Sequence, residues 1–249
     1  MKLDANLMSR SLEKIPQRAR GLEEAGFDGA VTAETSSDPF FPLLLAAEHT
    51  ERIELMTSIA VAFARNPMIM ANLANDLQSF SKGRLILGLG SQIKPHIEKR
   101  FSMPFSKPAA RMREFVLAMR AIWDCWYEGE KLAFKGEFYR HTLMTPMFTP
   151  TNNSYGPPRV VIAAVGPKMT EITGEVADGI FVHPFTTERY LREVTLPAIE
   201  RGRAASTQAD SDFEVCHQPF IISGRDEHEW VKKRTAVAKQ LAFLSLIHI

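Results

Sequence analysis

A (β/α)8 barrel, of the α/β class, is the fold this sequence predicts, with a long insertion after its fourth strand and a truncation before its eighth. Three observations lead there. Strand-like runs alternate with amphipathic helical stretches at a spacing of about 25 to 30 residues, the rhythm of a βα repeat. The strand runs are apolar at nearly every position, as strands are when both faces of a parallel sheet are covered. The rhythm never reverses, which favours a barrel over a doubly wound sheet. At 249 residues, 45% hydrophobic and 24% charged, the chain can bury one large core and is too apolar for disorder.

The elements follow in order. Residues 3 to 7 read as a short strand. Ser11 opens a helix in which Leu12, Ile15, Ala19, Leu22 and Ala25 recur at helical spacing, and Gly26 stops it. Residues 29 to 34 form the second strand, Asp38 caps a helix through His49, and residues 53 to 61 form the third strand. A helix begun by Pro67 reaches Phe80 and ends at Lys82-Gly83, before the fourth strand at 84 to 90. From 91 to 158 the rhythm breaks. That stretch holds an amphipathic helix at 109 to 127, a hairpin at 131 to 141 around Gly136, and a solvent loop rich in Pro, Asn and Gly at 145 to 158. The repeat resumes with strands at 159 to 165, 179 to 183 and 213 to 223, and helices at 167 to 177, at 187 to 203 and from Asp226 onward. Residues 1 to 243 are therefore expected to be one barrel domain lacking its last strand, an open and inactive fragment. Residues 244 to 249 (LSLIHI) back-translate to a transposon end used in sequencing libraries and read as a non-native tail.

Composition narrows the function. Thirty Lys and Arg against 29 Asp and Glu leave a formal charge of +1, which gives no field to attract nucleic acid or an anionic membrane. Cys125 and Cys216 stand far apart with no CxxC, arguing against a disulfide scaffold or a zinc site and for two small buried hydrophobes in a reducing cytoplasm. No apolar run approaches the roughly 20 residues of a membrane span. A small molecule is the expected partner, and no metal is expected.

Motifs at strand ends then matter most, because barrel sites sit at the C-terminal mouth. GLGSQI (88 to 93) has Ile93 where a dinucleotide fingerprint needs its third glycine, and no helix begins there. A glycine pair at a strand end does let a planar ligand pass close to the backbone. In AAVGPKM (163 to 169), Gly166 permits a tight turn, Pro167 suits the first helical position, and free amides beside Lys168 make an anion site; an ordinary βα turn is the alternative. Glu34 closes the second strand, Gln92 and His183 follow the fourth and sixth, and all three should point to the mouth, Glu34 as a catalyst or a salt-bridge partner, His183 as a catalyst or a histidine hydrogen-bonded in place. Met112, Phe115, Met119, Ile122, Trp123 and Trp126 read as core or subunit contact.

Taken together, several segments resemble the bacterial luciferase-like flavin and deazaflavin oxidoreductases: ARGLEEAGFDGAVTAE (19 to 34), MTSIAVAFARNPMIMANLANDLQSFSKGRLILGLG (56 to 90), KPAARMREFVLAMRAIWDCW (107 to 126), GEFYRH (136 to 141) and AAVGPKMTEITGEVADGIFVHPF (163 to 185). The chain looks closest to the branch using coenzyme F420. The resemblance implies a non-prolyl cis peptide at Ser58-Ile59 forming a bulge behind the deazaflavin ring. It also implies a loop of Gly90, Ser91 and Gln92 along the ring and ribityl chain, and a phosphate turn of Ala164, Val165, Gly166, Lys168 and Met169. The implied reaction is hydride transfer between the deazaflavin C5 and a small organic substrate, with Glu34 first and His183 second as acid/base groups, and dimers paired through the early helices. FMN with monooxygenation is one alternative, and a non-catalytic flavin-binding protein another. Thr35 and Gln92-Ile93 replace the histidine and glutamate of the F420-dependent sugar-phosphate dehydrogenases, so glucose 6-phosphate is not the expected substrate.

Overall fold

The computed structural model describes every residue except 10, 153, 207–211 and 248–249, and leaves the side chains of 243–247 undescribed; of the expected foreign tail at 244–249, residues 244–247 are described in their helical backbone alone and 248–249 lie outside the described residues. The chain runs β1 (Asp4–Asn6), α1 (Ile15–Glu24), β2 (Gly29–Thr32), α2 (Phe40–His49), β3 (Glu54–Thr57), β4 (Ala60–Val61), α3 (Pro67–Phe80) and β5 (Leu85–Gly90). There follow α4 (Pro108–Tyr127), β6 (Phe134–Lys135), β7 (Arg140–His141), β8 (Arg159–Ala164), α5 (Pro167–Val176) and β9 (Gly179–Val182). The last elements are α6 (Glu188–Tyr190), α7 (Leu196–Ala204), β10 (Glu214–His217) and α8 (Glu227–Ile247).

One parallel sheet in the order β1-β2-β3-β5-β8-β9-β10 organises the molecule, with β4 continuing beside β5. Strands adjacent in the repeat are adjacent in the sheet, as a curling barrel wall requires. The central strands are covered on both faces. Leu55, Leu85, Leu87, Leu89, Val160 and Ile162 are turned outward and pack with the helices, including Met70, Ala74, Phe115, Met119 and Trp123. Met56, Ile86 and Val161, with Val31 and Phe181, fill the concave inside. That double burial explains why β5 reads LILGLG with no polar position.

The expected elements appear, with local departures. The third strand does not run through to Val61: it breaks after Thr57, and the Ser58-Ile59 peptide is cis. The seventh strand ends at His217 instead of Ser223, since Pro219 carries no amide hydrogen for a ladder. The stretch after His183 is helical from Glu188 to Ala204 but passes through a π-helical turn at Leu191–Thr195. Asn66 caps α3 by accepting the Ile69 amide at 2.9 Å, and Asp38 accepts the Phe40 amide at 2.8 Å where α2 starts. The hairpin pairs Phe134 with His141 and Lys135 with Arg140. No helix among the described residues is long and apolar enough to cross a membrane.

At the N-terminal end of the strands four charges form a ring. Lys2 Nζ lies 2.8 Å from Glu54 and 3.6 Å from Glu214, Arg159 lies 2.9 Å from Glu214, and Arg159 also pairs with Glu54. The four come from the first, third, fifth and seventh parallel strands or the residues leading into them, the alternate-strand layering of a barrel interior. The ring brings the two sheet edges, β1 and β10, to within ion-pair distance although the two strands do not hydrogen-bond to each other. Above it, Asp4 Oδ1 is buried with no hydrogen-bond partner. Desolvation, with Glu54 and Glu214 close by, raises its pKa above the ordinary aspartate value. Both cysteines are only partly buried; burial, aided by Glu214 and Asp4, pushes the Cys216 thiol up to about 12.

Asp4→Asn is expected to raise the melting temperature by a few degrees at pH 7.5. A carboxyl whose folded pKa is raised costs stability only when ionised, so the gain exists above that folded pKa and fades as pH falls towards the ordinary carboxylate range. Thermal melts of both proteins from pH 7.5 down to the ordinary carboxylate range at about pH 4 check it; a gap that stays unchanged over the whole range would count against the buried-charge account.

Candidate active site at the C-terminal mouth of the sheet

Register explains how β3 and β5 build a shelf. Met56 pairs with Ile86, but the ladder resumes with Ala60 beside Leu89 and Val61 beside Gly90, so the β3–β4 side carries one extra residue. That is a β-bulge, which re-aims the strand at a rim. Ser58 and Ile59 lie in it. The Ser58 amide donates to the Thr32 carbonyl at 2.6 Å, and the Ile59 carbonyl accepts the Glu34 amide at 3.0 Å. Ile59 then lies across Gly90: a Cβ there would sit 2.8 Å from its Cγ1 and Cδ1. Glycine is needed so that the bulge can rest on the end of β5, and together they form a flat wall of backbone and one aliphatic side chain.

The loop beyond β5 turns sharply. Gln92 adopts a left-handed backbone with φ of 57°, and its side-chain oxygen accepts the Ile93 amide at 3.0 Å. Ser91 Oγ donates to the Gln92 carbonyl at 3.2 Å. A non-glycine residue in this region marks a loop whose shape is over-determined by its surroundings.

Next to it, β8 delivers the second feature. Ala164 is buried, Val165 is exposed, and Gly166 is the extended residue before α5. The first backbone bond of that helix is Thr170 N–H to Gly166 C=O at 3.0 Å, and Pro167 has no N–H. The amides of Lys168 and Met169 are therefore left over for another acceptor, at the positive end of the helix dipole. Lys168 is exposed and pairs with no carboxylate among the described residues. An anionic group fits this turn, and a planar ring fits the shelf beside it.

Of the two expected acid/base groups, Glu34 is held tightly. Its carboxylate accepts the Val61 amide at 2.7 Å and meets Arg65 Nη1 at 2.6 Å, with its side chain 8% exposed. Arg65 reaches Asp38 at 3.1 Å and stacks over Phe40, 5.6 Å from the ring centre. Glu34 thereby clamps the bulge to the loop after β2. His183, after β9, accepts the Phe185 amide on Nδ1 at 3.2 Å, which places the ring proton on Nε2. Every predicted site residue thus lies at the same end of the sheet. The sequence reading overlooked Arg65 and Thr57; a lone arginine in the apolar run AVAFARNP was the available signal for the first.

Two cavities lie elsewhere. One of about 530 Å³ is lined by Cys125, Leu132, Met144 and neighbours, and one of about 800 Å³ by Phe80, Lys82, Tyr155 and neighbours. Both belong to the segment between β5 and β8 and the outer helix faces, and include none of the mouth residues.

Comparisons with known proteins agree with this geometry. The family model of luciferase-like monooxygenases matches residues 2–247. An uncharacterized protein of Mycobacterium tuberculosis is 59% identical over 98% of this chain, which spans 71% of that relative. An F420-dependent glucose-6-phosphate dehydrogenase of Intrasporangium calvum is 28% identical over 82% of this chain and 64% of its own length. Among solved structures, a monooxygenase from Streptomyces bottropensis superposes with a TM-score of 0.77 at 23% identity, covering 99% of this chain and 79% of that one. A curled parallel sheet whose strand ends carry the bulge and the helix-start turn, and a family model that spans nearly the whole chain, place this protein in the luciferase-like monooxygenase family.

Proposed function

We propose that this chain belongs to an F420-dependent oxidoreductase that passes a hydride between the deazaflavin and a small organic substrate. The observation that carries the reading is the pairing, on adjacent strands, of a flat bulge-and-glycine shelf with an anion-ready helix start. Ser58, Ile59 and Gly90 would back the planar ring, Ser91 and Gln92 would line its side chain, and Ala164, Val165, Gly166, Lys168 and Met169 would hold the phosphate. When bound, the cofactor supplies a hydride at C5. The protein supplies orientation through the shelf, exclusion of water by the apolar inner core of Met56, Ile86, Val161 and Phe181, and a proton through His183 Nε2–H. Glu34, tied to Arg65 and the Val61 amide, keeps the shelf in place in this reading, and any proton transfer through it would first have to break that pair. Relatives named for F420-dependent activity support the choice of cofactor. Glucose 6-phosphate is not the substrate proposed, because Thr35 and Gln92 stand where those dehydrogenases carry their histidine and glutamate. Exposed Phe41 and Leu44 on α2 and Ile69 on α3 offer an apolar face for a homodimer.

F420 is expected to bind at least tenfold more tightly than FMN in parallel fluorescence titrations. Micromolar FMN binding with no F420 signal would transfer the reading to an FMN-dependent monooxygenase. Tight binding of either with no turnover across electron donors would favour a carrier protein.

A further inference from the structure

Where β3 gives way to β4, residues 57, 58 and 59 lie beside only residues 87 and 88 of β5. The backbone N–H and C=O of Gly88 face that gap, since a residue of a parallel strand turns both groups to the same side. Both are nonetheless bonded. The Gly88 amide donates to Thr57 Oγ1 at 2.9 Å, and the same hydroxyl donates to the Gly88 carbonyl at 2.7 Å. A hydroxyl has one proton to give and lone pairs to accept with, so a single side chain stands in for the missing rung. Thr57 is fully buried at 0% exposure, so its hydroxyl, and not solvent, satisfies both groups.

We propose that Thr57 is the positioning residue of the mouth: its hydroxyl fixes where the bulge leaves the sheet, and so where Ile59 rests on Gly90 to receive a flat fused-ring cofactor. Glu34 secures the far end of the same bulge through its backbone N–H to the Ile59 carbonyl and its carboxylate to the Val61 amide. The ligand part of this inference rests on the proposed function; the conformational part does not.

Two substitutions separate the hydroxyl from the packing. Thr57→Val keeps the branched shape and removes both bonds, whereas Thr57→Ser keeps the bonds and removes a methyl. Thr57→Val is expected to raise the F420 dissociation constant roughly tenfold or more, and Thr57→Ser to stay within about threefold of the parent although both melt lower. Parent-like binding by Thr57→Val, or equally weak binding by both, would overturn the proposal. Hydrogen exchange without cofactor is the second readout. The Gly88 and Val61 amides are expected to exchange at least tenfold faster in Thr57→Val and not in Thr57→Ser; unchanged exchange in the valine variant would also overturn it. Should Thr57→Val not fold, the parent decides: a Gly88 amide that exchanges only through global unfolding supports the role, and loop-like exchange refutes it. If the parent binds neither F420 nor FMN, the proposed function fails, and the exchange results still decide the role of Thr57.

Discussion

Gly88→Ala is expected to cost the protein about 3 kcal/mol or more, enough to bring most of it into the insoluble fraction. A Cβ at residue 88 would overlap the Thr57 carbonyl oxygen and sit 2.6 Å from Phe181 Cε2. One clash is with backbone and the other with a ring of the inner core, and β5 is buried along its whole length, so neither neighbour has room to retreat. Gly90→Ala provides the contrast. Its new methyl would meet only the flexible end of Ile59, at 2.8 Å, so the fold should survive while cofactor affinity falls. Urea unfolding and fluorescence titration of the two variants check the pair. A soluble Gly88→Ala protein with the parent midpoint would refute the close-approach argument.

Glu34→Ala is expected to lower stability by about 2–4 kcal/mol, because it strands the Val61 amide and leaves Arg65 without its nearer carboxylate. Both side chains are largely buried, at 8% and 17% exposure, so the loss is not screened as on an open surface. Glu34→Gln keeps an acceptor for Val61 and should fall between the two. In turnover the glutamine variant should lower the rate while leaving the pH profile in place, whereas His183→Gln should remove one limb of that profile. A limb lost with Glu34→Gln and kept with His183→Gln would return Glu34 to the role of acid/base group.

Much of the fold was legible because covering a parallel strand on both faces leaves a strong mark. RLILGLG, RVVIAAV and GIFVH could hardly be surface segments, and each became a strand within a residue or two of its expected bounds. Boundaries failed where a local rule competed with apolarity. The run from 53 to 61 reads as one continuous strand, its apolar pattern interrupted only by Glu54, Thr57 and Ser58, and such a pattern carries no record of a register slip, so the bulge came only from the family resemblance. The π-helical turn at Leu191–Thr195 left no trace in composition either. For the site, the strand-end positions of Glu34, Gln92 and His183 followed from counting repeats. The partner of Glu34 did not, because Arg65 lies 31 residues away in sequence and is brought in by the turn after β4.

By itself, then, the sequence determined the parallel α/β architecture, the order of its strands and the end of the sheet at which polar and glycine-rich segments gather, because periodicity and strand-end position are local properties. Only the tertiary structure decided what those residues do to one another. That Thr57 fills a missing rung, that Glu34 buckles the bulge to Arg65, and that Lys2, Glu54, Arg159 and Glu214 close a ring across the sheet edges all depend on register between strands. Register is set by packing between segments far apart in the chain, and a slip of one residue exchanges every inward side chain for an outward one.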